Sequence, residues 1–241
     1  MTKNPKINWI IASIFFVSLI VIISSASHIY LGASNVEESL DEWNEKIELS
    51  NQDNLEIDDL FQEDVEEKKS QRDRKSYSKK EENLVNSKAA QEDGFLPIYE
   101  KRPERGEVIG KIYIPKLNRE LPIIHGSDDD ELDRGVGHFI GSVLPGENDN
   151  TVLAGHRDTV FQSLGQVGAG DQIEIETQAG YFVYEIFEER IVDEDDRTVI
   201  VPYDEPILTL VTCYPFDFIG AAPERYILTG KLIEANGESI G

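Results

Sequence analysis

From Gly106 to the C-terminus the chain reads as short β-branched and aromatic runs cut apart by Gly, Pro, Asn and Asp. This punctuation restricts the fold more than any other feature, because such runs bounded by turn formers are strands. Strands are expected at 109–114 (IGKIYI), 120–124 (ELPII), 137–141 (GHFIG), 150–156 (NTVLAGH), 172–177 (QIEIET), 181–192 (YFVYEIFEERIV), 207–213 (ILTLVTC) and 225–233 (RYILTGKLI). Eight strands with room for only two short helices give a mainly β fold, a closed or nearly closed eight-stranded β-barrel. One helix is expected after Ser127, whose hydroxyl can cap a first turn of Asp128, Asp129 and Asp130. The other is expected over Thr159–Leu164, stopped by Gly165.

The first 105 residues are different material. Lys3 and Lys6 precede an uncharged apolar run from Trp9 to Ala26. As a helix this run is about 27 Å long, one hydrocarbon thickness. The first charges after it are Glu37 and Glu38, so the positive-inside rule leaves the N-terminus in the cytoplasm. Residues 1–8 then form a cytoplasmic tail and 9–27 a single N-terminal transmembrane helix, a signal-anchor that places the rest of the chain outside the cell. A signal peptide cleaved near Ser25-Ala26-Ser27 is the competing reading, although such peptides usually have apolar cores of about 7–15 residues. Residues 28–105 are expected to be a charged extracellular spacer. From 33 to 105 there are 21 acidic and 12 basic residues, too few apolar groups to offset the entropy of ordering. Leu40, Trp43 and Ile47 fall at i, i+3, i+7, which allows transient helix. The folded head is 106–241.

The formal charge of −24 excludes a surface built to neutralise phosphates. The head itself is acidic, with 26 acidic against 9 basic residues from Gly106 onward; like-charge repulsion would discourage sticking to anionic surfaces. A single cysteine, Cys213, excludes an internal disulfide and a multi-cysteine metal centre.

A lone thiol outside the cell is exposed to oxidation, so Cys213 invites a chemical reading beside the plain one of a small buried hydrophobe. Alternation puts Cys213, Val211, Thr209 and Ile207 on one face of their strand, with Thr212, Leu210 and Leu208 on the other. If the strands on either side of the loop Tyr214–Glu224 pair in antiparallel fashion, Cys213 and Arg225 flank one mouth. That loop is longer than a hairpin needs, and Arg225 offers a permanent positive charge for a thiolate or an oxyanion. His156, at the end of NTVLAGH, has the chemistry to take a thiol's proton and return it to a leaving amine. Cys213, His156 and Arg225 make a candidate acyl-transfer site, provided their strand ends converge. His125 and His138 read as structural histidines. An exported barrel that binds a wall or protein ligand without catalysis is the reading from a different class.

The string TLVTCYPFDFIGAAPERYIL resembles the signature of sortases, the membrane-anchored cysteine transpeptidases of Gram-positive surfaces, and in its Thr-Cys-Tyr-Pro-Phe and Ala-Pro-x-Arg-Tyr elements it is most similar to the class D group. The resemblance extends through IGKIYIPKLNRELPIIHG, GVGHFIGSVLPGENDNTVLAGHRDTVF and IVDEDDRTVIVP, covering about residues 106–234. It implies a sortase-type eight-stranded barrel with Cys213 as nucleophile, His156 as general acid/base and Arg225 beside the oxyanion. It implies a Leu-Pro-x-Thr-type sorting signal, cleaved through a thioacyl-enzyme and passed to a peptidoglycan precursor amine, with no metal or organic cofactor. The loop Asp193–Pro206, including Ile200, Val201 and Pro202, would bind the Leu-Pro part of the signal. Thr212, through its hydroxyl, and Ala222 would add substrate contacts. The Asp-Pro-aromatic lid of the pilin-polymerising group is absent from DGFLPIYEKRPER. The acidic runs Asp128–Glu131 and Asp193–Asp196 read as solvated surface charge, as neither has the spacing of a dedicated calcium loop; calcium binding there is the alternative.

Overall fold

A computed structural model of the protein describes residues 9, 15–20, 34–50, 99, 101–217, 220 and 222–240. Strand β1 (Val108–Ile114) is followed by β2 (Arg119–His125), β3 (Val136–His138), β4 (Asp149–Ala154), β5 (Gln172–Thr177), β6 (Gly180–Asp193), β7 (Pro206–Tyr214), β8 (Glu224–Ala235) and the two-residue β9 (Glu238–Ser239). In space the order is β6-β5-β1-β2-β3-β4-β7-β8, and a further β6–β8 pairing closes these eight into a ring. The expected eight-stranded barrel is therefore present, with β9 added as a short hairpin on the end of β8. The core is filled by inward-facing residues, Ile112, Leu121, Leu153, Phe161, Phe182, Tyr184, Leu210 and Leu228 among them. The Tyr184 hydroxyl is not orphaned there, for it accepts the Gly146 N–H at 2.8 Å.

Local expectations moved where a neighbour outcompeted them. The strand expected at 137–141 is confined to Val136–His138, because the Ser142 N–H and hydroxyl both turn back onto the Phe139 carbonyl. The first helix, Asp129–Leu132, is capped by Asp128 rather than Ser127. Glu131 reaches back to the Asp128 N–H at 2.9 Å, which completes a capping box, so the cap falls one residue later than expected. The second expected helix is a series of turns ending in a 3-10 turn, Leu164–Gln166, because Ser163 adopts a left-handed φ of 70° that a continuing α-helix cannot hold.

The larger correction concerns the expected spacer. Residues 34–50 are helical, here α1 (with Asp129–Leu132 as α2), and α1 docks on the barrel. Trp43 is fully buried against Val108 and Ile124, with Ile47 packed beside it. Lys46 Nζ donates to Glu107 at 2.7 Å and to the Val108 carbonyl at 3.3 Å, while Arg134 reaches Glu42 at 3.1 Å. The i, i+3, i+7 stripe had too little apolar surface to fold alone, and the outside of the β1–β2 pair supplies the missing partner. Residues 51–98 lie outside the described part. Of the expected membrane segment, Trp9 and the helical residues 15–20 are described, and among the described residues no helix is long and apolar enough to cross a membrane.

His125 and His138 stack at the ends of the parallel β2–β3 pair, Nδ1 to Nδ1 at 3.0 Å. Because His138 Nε2 lies 2.9 Å from the Val143 carbonyl, which only accepts, its proton sits on Nε2. The Nδ1–H of His125 then donates to His138. Burial pushes His138 down to about 4, with the Val143 bond opposing. An unfolded histidine takes its proton near 6.5, so stability present above that pH is lost as pH falls from about 6.5 toward 4. Melting temperature measured from pH 7 to pH 4 should fall, and His138→Gln should flatten part of that slope. Trp43→Ala should cost about 3–5 kcal/mol in denaturant titrations by emptying the α1 contact.

Candidate active site

Two strand registers decide which residues meet. β4 and β7 are parallel, pairing Asn150 with Ile207 and Ala154 with Val211. Continuing this register two residues past the end of β4 places His156 level with Cys213. The continuation is held by the Gly155 N–H on the Val211 carbonyl at 3.1 Å and by the Thr212 hydroxyl on the Gly155 carbonyl at 2.7 Å. β7 and β8 are antiparallel, with Cys213 opposite Arg225, as the sequence suggested. His156, Cys213 and Arg225 therefore stand on one rung, at the same end of three adjacent strands.

Strand alternation gives that rung its surroundings. Leu153, Leu208, Leu210, Tyr226 and Leu228 belong to the interior. Their neighbours Val152, Ala154, Val211 and Ile227 thus point to the outer surface, on the same side as Cys213 and Arg225. This makes an apolar floor on the outside of the barrel that runs along β4, β7 and β8 up to the rung. Val152 and Ile227 are almost fully buried although they face outward. The crossover from β6 to β7, residues 194–205, returns to the opposite end of this floor. There Asn150 Nδ2 holds the Val201 carbonyl at 3.2 Å and Asp149 accepts the Tyr203 N–H at 2.8 Å. Since Asn150 is level with Ile207, six residues before Cys213, Val201 lies about 20 Å along the strands from the rung. Ile200 and Pro202 beside it are exposed.

Each member of the rung is held from a different element. Gly155 must lack a side chain: a Cβ there would stand 2.7 Å from both Val160 and Phe161, which pack under the turn after His156. The Phe161 N–H bonds to the His156 carbonyl at 2.9 Å, and Arg119 holds the Thr159 carbonyl at 2.9 Å. His156 Nε2 lies 3.9 Å from Asp133, at the end of α2. Arg225 Nη1 donates to the Ala222 and Glu224 carbonyls, both at 3.0 Å, and Nη2 to Glu194 at 3.2 Å. Cys213 is half-buried.

Thr212 and Ala222, both expected as substrate contacts, are buried. The Thr212 side chain is buried and its hydroxyl is spent on Gly155; being one residue from Cys213, it faces inward and fixes the β4–β7 register. Ala222 is buried as well, and its carbonyl supports Arg225. The sequence reading missed Glu194, and it missed Arg157, which bonds the Pro215 and Gly220 carbonyls at 2.9 and 2.8 Å. No spacing rule signals either, because both contacts join loops far apart in the chain. The floor residue Val211 was legible, as it shares the Cys213 face.

The Sortase domain profile matches residues 112–233, half of the chain. The chain belongs to the sortase family. It is 47% identical to sortase D of Bacillus subtilis (strain 168) over 133 residues, which cover 55% of this chain and 67% of that protein. Among solved structures it is similar to a Clostridium perfringens sortase D5 transpeptidase, at 31% identity and TM-score 0.51, covering 66% of this chain and 91% of that one. It is also similar to the catalytic domain of SrtD from Bacillus anthracis, at 43% identity and TM-score 0.50, covering 58% and 97%. Sortases are cysteine transpeptidases that act on surface proteins bearing sorting signals and attach them to the cell wall, and this chain is one of them, of the class D kind.

Thr212→Val should leave the buried Gly155 carbonyl unpaired and cost about 1–3 kcal/mol in denaturant titrations. Thr212→Ser, which keeps the hydroxyl, should recover most of that loss.

Proposed function

We propose that this sortase cleaves a Leu-Pro-x-Thr-type sorting signal through Cys213, and that the rung of His156, Cys213 and Arg225 above an apolar floor is its catalytic centre. That rung is the observation carrying the reading. The Cys213 thiolate attacks the carbonyl of the signal's Thr, and the tetrahedral oxyanion forms beside the Arg225 guanidinium. His156 protonates the leaving amine, so that a thioacyl-enzyme remains. A peptidoglycan precursor amine then attacks the thioester carbonyl, Cys213 leaves, and the surface protein is joined to the wall precursor by an amide.

The accessible part of the floor, Ala154 and Val211, suits the Leu-Pro part of the signal. An extended tetrapeptide spans about 13 Å, so a signal with its Thr at Cys213 runs along the floor about two thirds of the way toward Ile200, Val201 and Pro202, which stand beyond its far end. The apolar run 9–27 anchors the chain in the cell membrane with residues 1–8 in the cytoplasm and the catalytic head outside. This placement rests on the lysines before the run and the acidic residues after it.

Cleavage of a fluorogenic Leu-Pro-x-Thr-Gly peptide by the full chain tests the reading. Cys213→Ala should abolish turnover, and unchanged activity in that variant would sink the assignment. His156→Gln should lower kcat by about 10²–10⁴-fold. Arg225→Lys should lower kcat/KM by about 10²-fold or more, since a point ammonium cannot hold the Ala222 and Glu224 carbonyls and still serve an oxyanion.

A further inference from the structure

The β6–β8 register brings one more residue to the rung. Val192 stands level with Arg225, and Asp193 with Glu224. Glu194 comes next, and its N–H bonds the Pro223 carbonyl at 3.1 Å, which extends that pairing by one position. Alternation turns Val192 and Glu194 to the outer side, where Arg225 and Cys213 also point. Glu194 is thereby a diagonal neighbour of Arg225, within reach of a long side chain. The turn that follows pins it in place. There the Asp195 N–H bonds the Asp193 carboxylate at 3.0 Å, and the Asp196 N–H bonds the Asp193 carbonyl at 3.1 Å.

The bonds of Arg225 divide its guanidinium. An arginine offers five N–H groups. Nη1 donates to the Ala222 and Glu224 carbonyls, both at 3.0 Å, and Nη2 donates to Glu194 Oε2 at 3.2 Å. The Nε–H and the second Nη2–H are left for a substrate oxygen. Both carbonyls belong to the segment that carries Arg225 and move with it. Glu194 comes from β6, so among the described residues it is the acceptor that fixes the guanidinium plane against a second strand. That plane decides where the two remaining hydrogens point, and an oxyanion is best stabilised by donors already aimed at it. The side chains are 28% and 52% exposed for Arg225 and Glu194, and an ion pair so open to water adds little to folding stability.

We propose that Glu194 is a positioning residue for the oxyanion step. It holds the Arg225 plane so that the remaining N–H groups face the carbonyl carbon attacked by Cys213. This inference rests on the assignment of Cys213 and Arg225 above. The oxyanion exists only in the tetrahedral intermediate and the transition states around it, so a misaimed guanidinium lowers kcat and leaves donor binding alone. Glu194 acts through its hydrogen bond and not through its charge, because a negative charge beside Arg225 opposes the oxyanion that the guanidinium serves.

The test uses the full chain with the fluorogenic donor peptide. Glu194→Ala should lower kcat by about tenfold, less than removal of an oxyanion donor itself. Donor KM should stay within about twofold of the wild type. Glu194→Gln, which keeps an acceptor for Nη2, should recover most of the lost kcat. On an Arg225→Lys background, Glu194→Ala should change kcat by less than about twofold, because an ammonium has no plane to orient. The melting temperatures of both Glu194 variants should match the wild type. An unchanged or raised kcat in Glu194→Ala would overturn the inference. Equal losses in Glu194→Ala and Glu194→Gln would do the same, as would the full loss repeated on the Arg225→Lys background. Failure of the wild-type chain to cleave the peptide would instead overturn the underlying assignment, which keeps the two failures distinct.

Discussion

The parallel pairing of β4 with β7 is the constraint on which the rest depends. These strands are 57 residues apart in register, Ala154 against Val211, so the contact is expensive in loop-closure entropy and no local signal specifies it. It completes the ring of strands, and its continuation past Ala154 decides whether His156 ends beside Cys213. Two small features secure that continuation. Gly155 lets Val160 and Phe161 pack close under the turn, and the Thr212 hydroxyl closes the last main-chain contact from the inward face. The residue before Cys213 thus helps hold the register of the site.

Once the register is set, electrostatic preparation follows from the neighbours. Three acceptors from two segments fix the orientation of Arg225 before any substrate arrives. A guanidinium held in this way costs little reorganisation when an oxyanion develops nearby. Glu194 belongs to the crossover whose other end is tied to β4 through Val201 and Tyr203. The crossover is therefore fastened at both ends of the floor.

Much of this was legible in the sequence, and the reasons are specific. Seven of the eight expected strands appear within two residues of their expected bounds, because β-branched alternation and turn residues agree there; the third is cut short by the Ser142 turn. Alternation also placed Cys213 and Val211 on one face and Thr212 on the other. The inward side of Thr212 was legible too, though not the partner its hydroxyl takes there, the Gly155 carbonyl. The docking of α1 was hidden for a different reason. Trp43 and Ile47 form a stripe too narrow to fold alone, and their partner surface, Val108 and Ile124, lies more than 60 residues away in the chain. Composition correctly marks such a segment as unable to fold unaided, but it does not register a partner.

The central claim is that the acyl group passes through the Cys213 sulfur. The most direct measurement is intact-protein and peptide mass spectrometry after acid quench, with the donor peptide present and no acceptor amine. The account predicts a mass increase equal to the signal fragment ending in Thr, confined to the peptide containing Cys213. Peptide cleavage with Cys213 unmodified throughout, or an adduct on another residue, would contradict it.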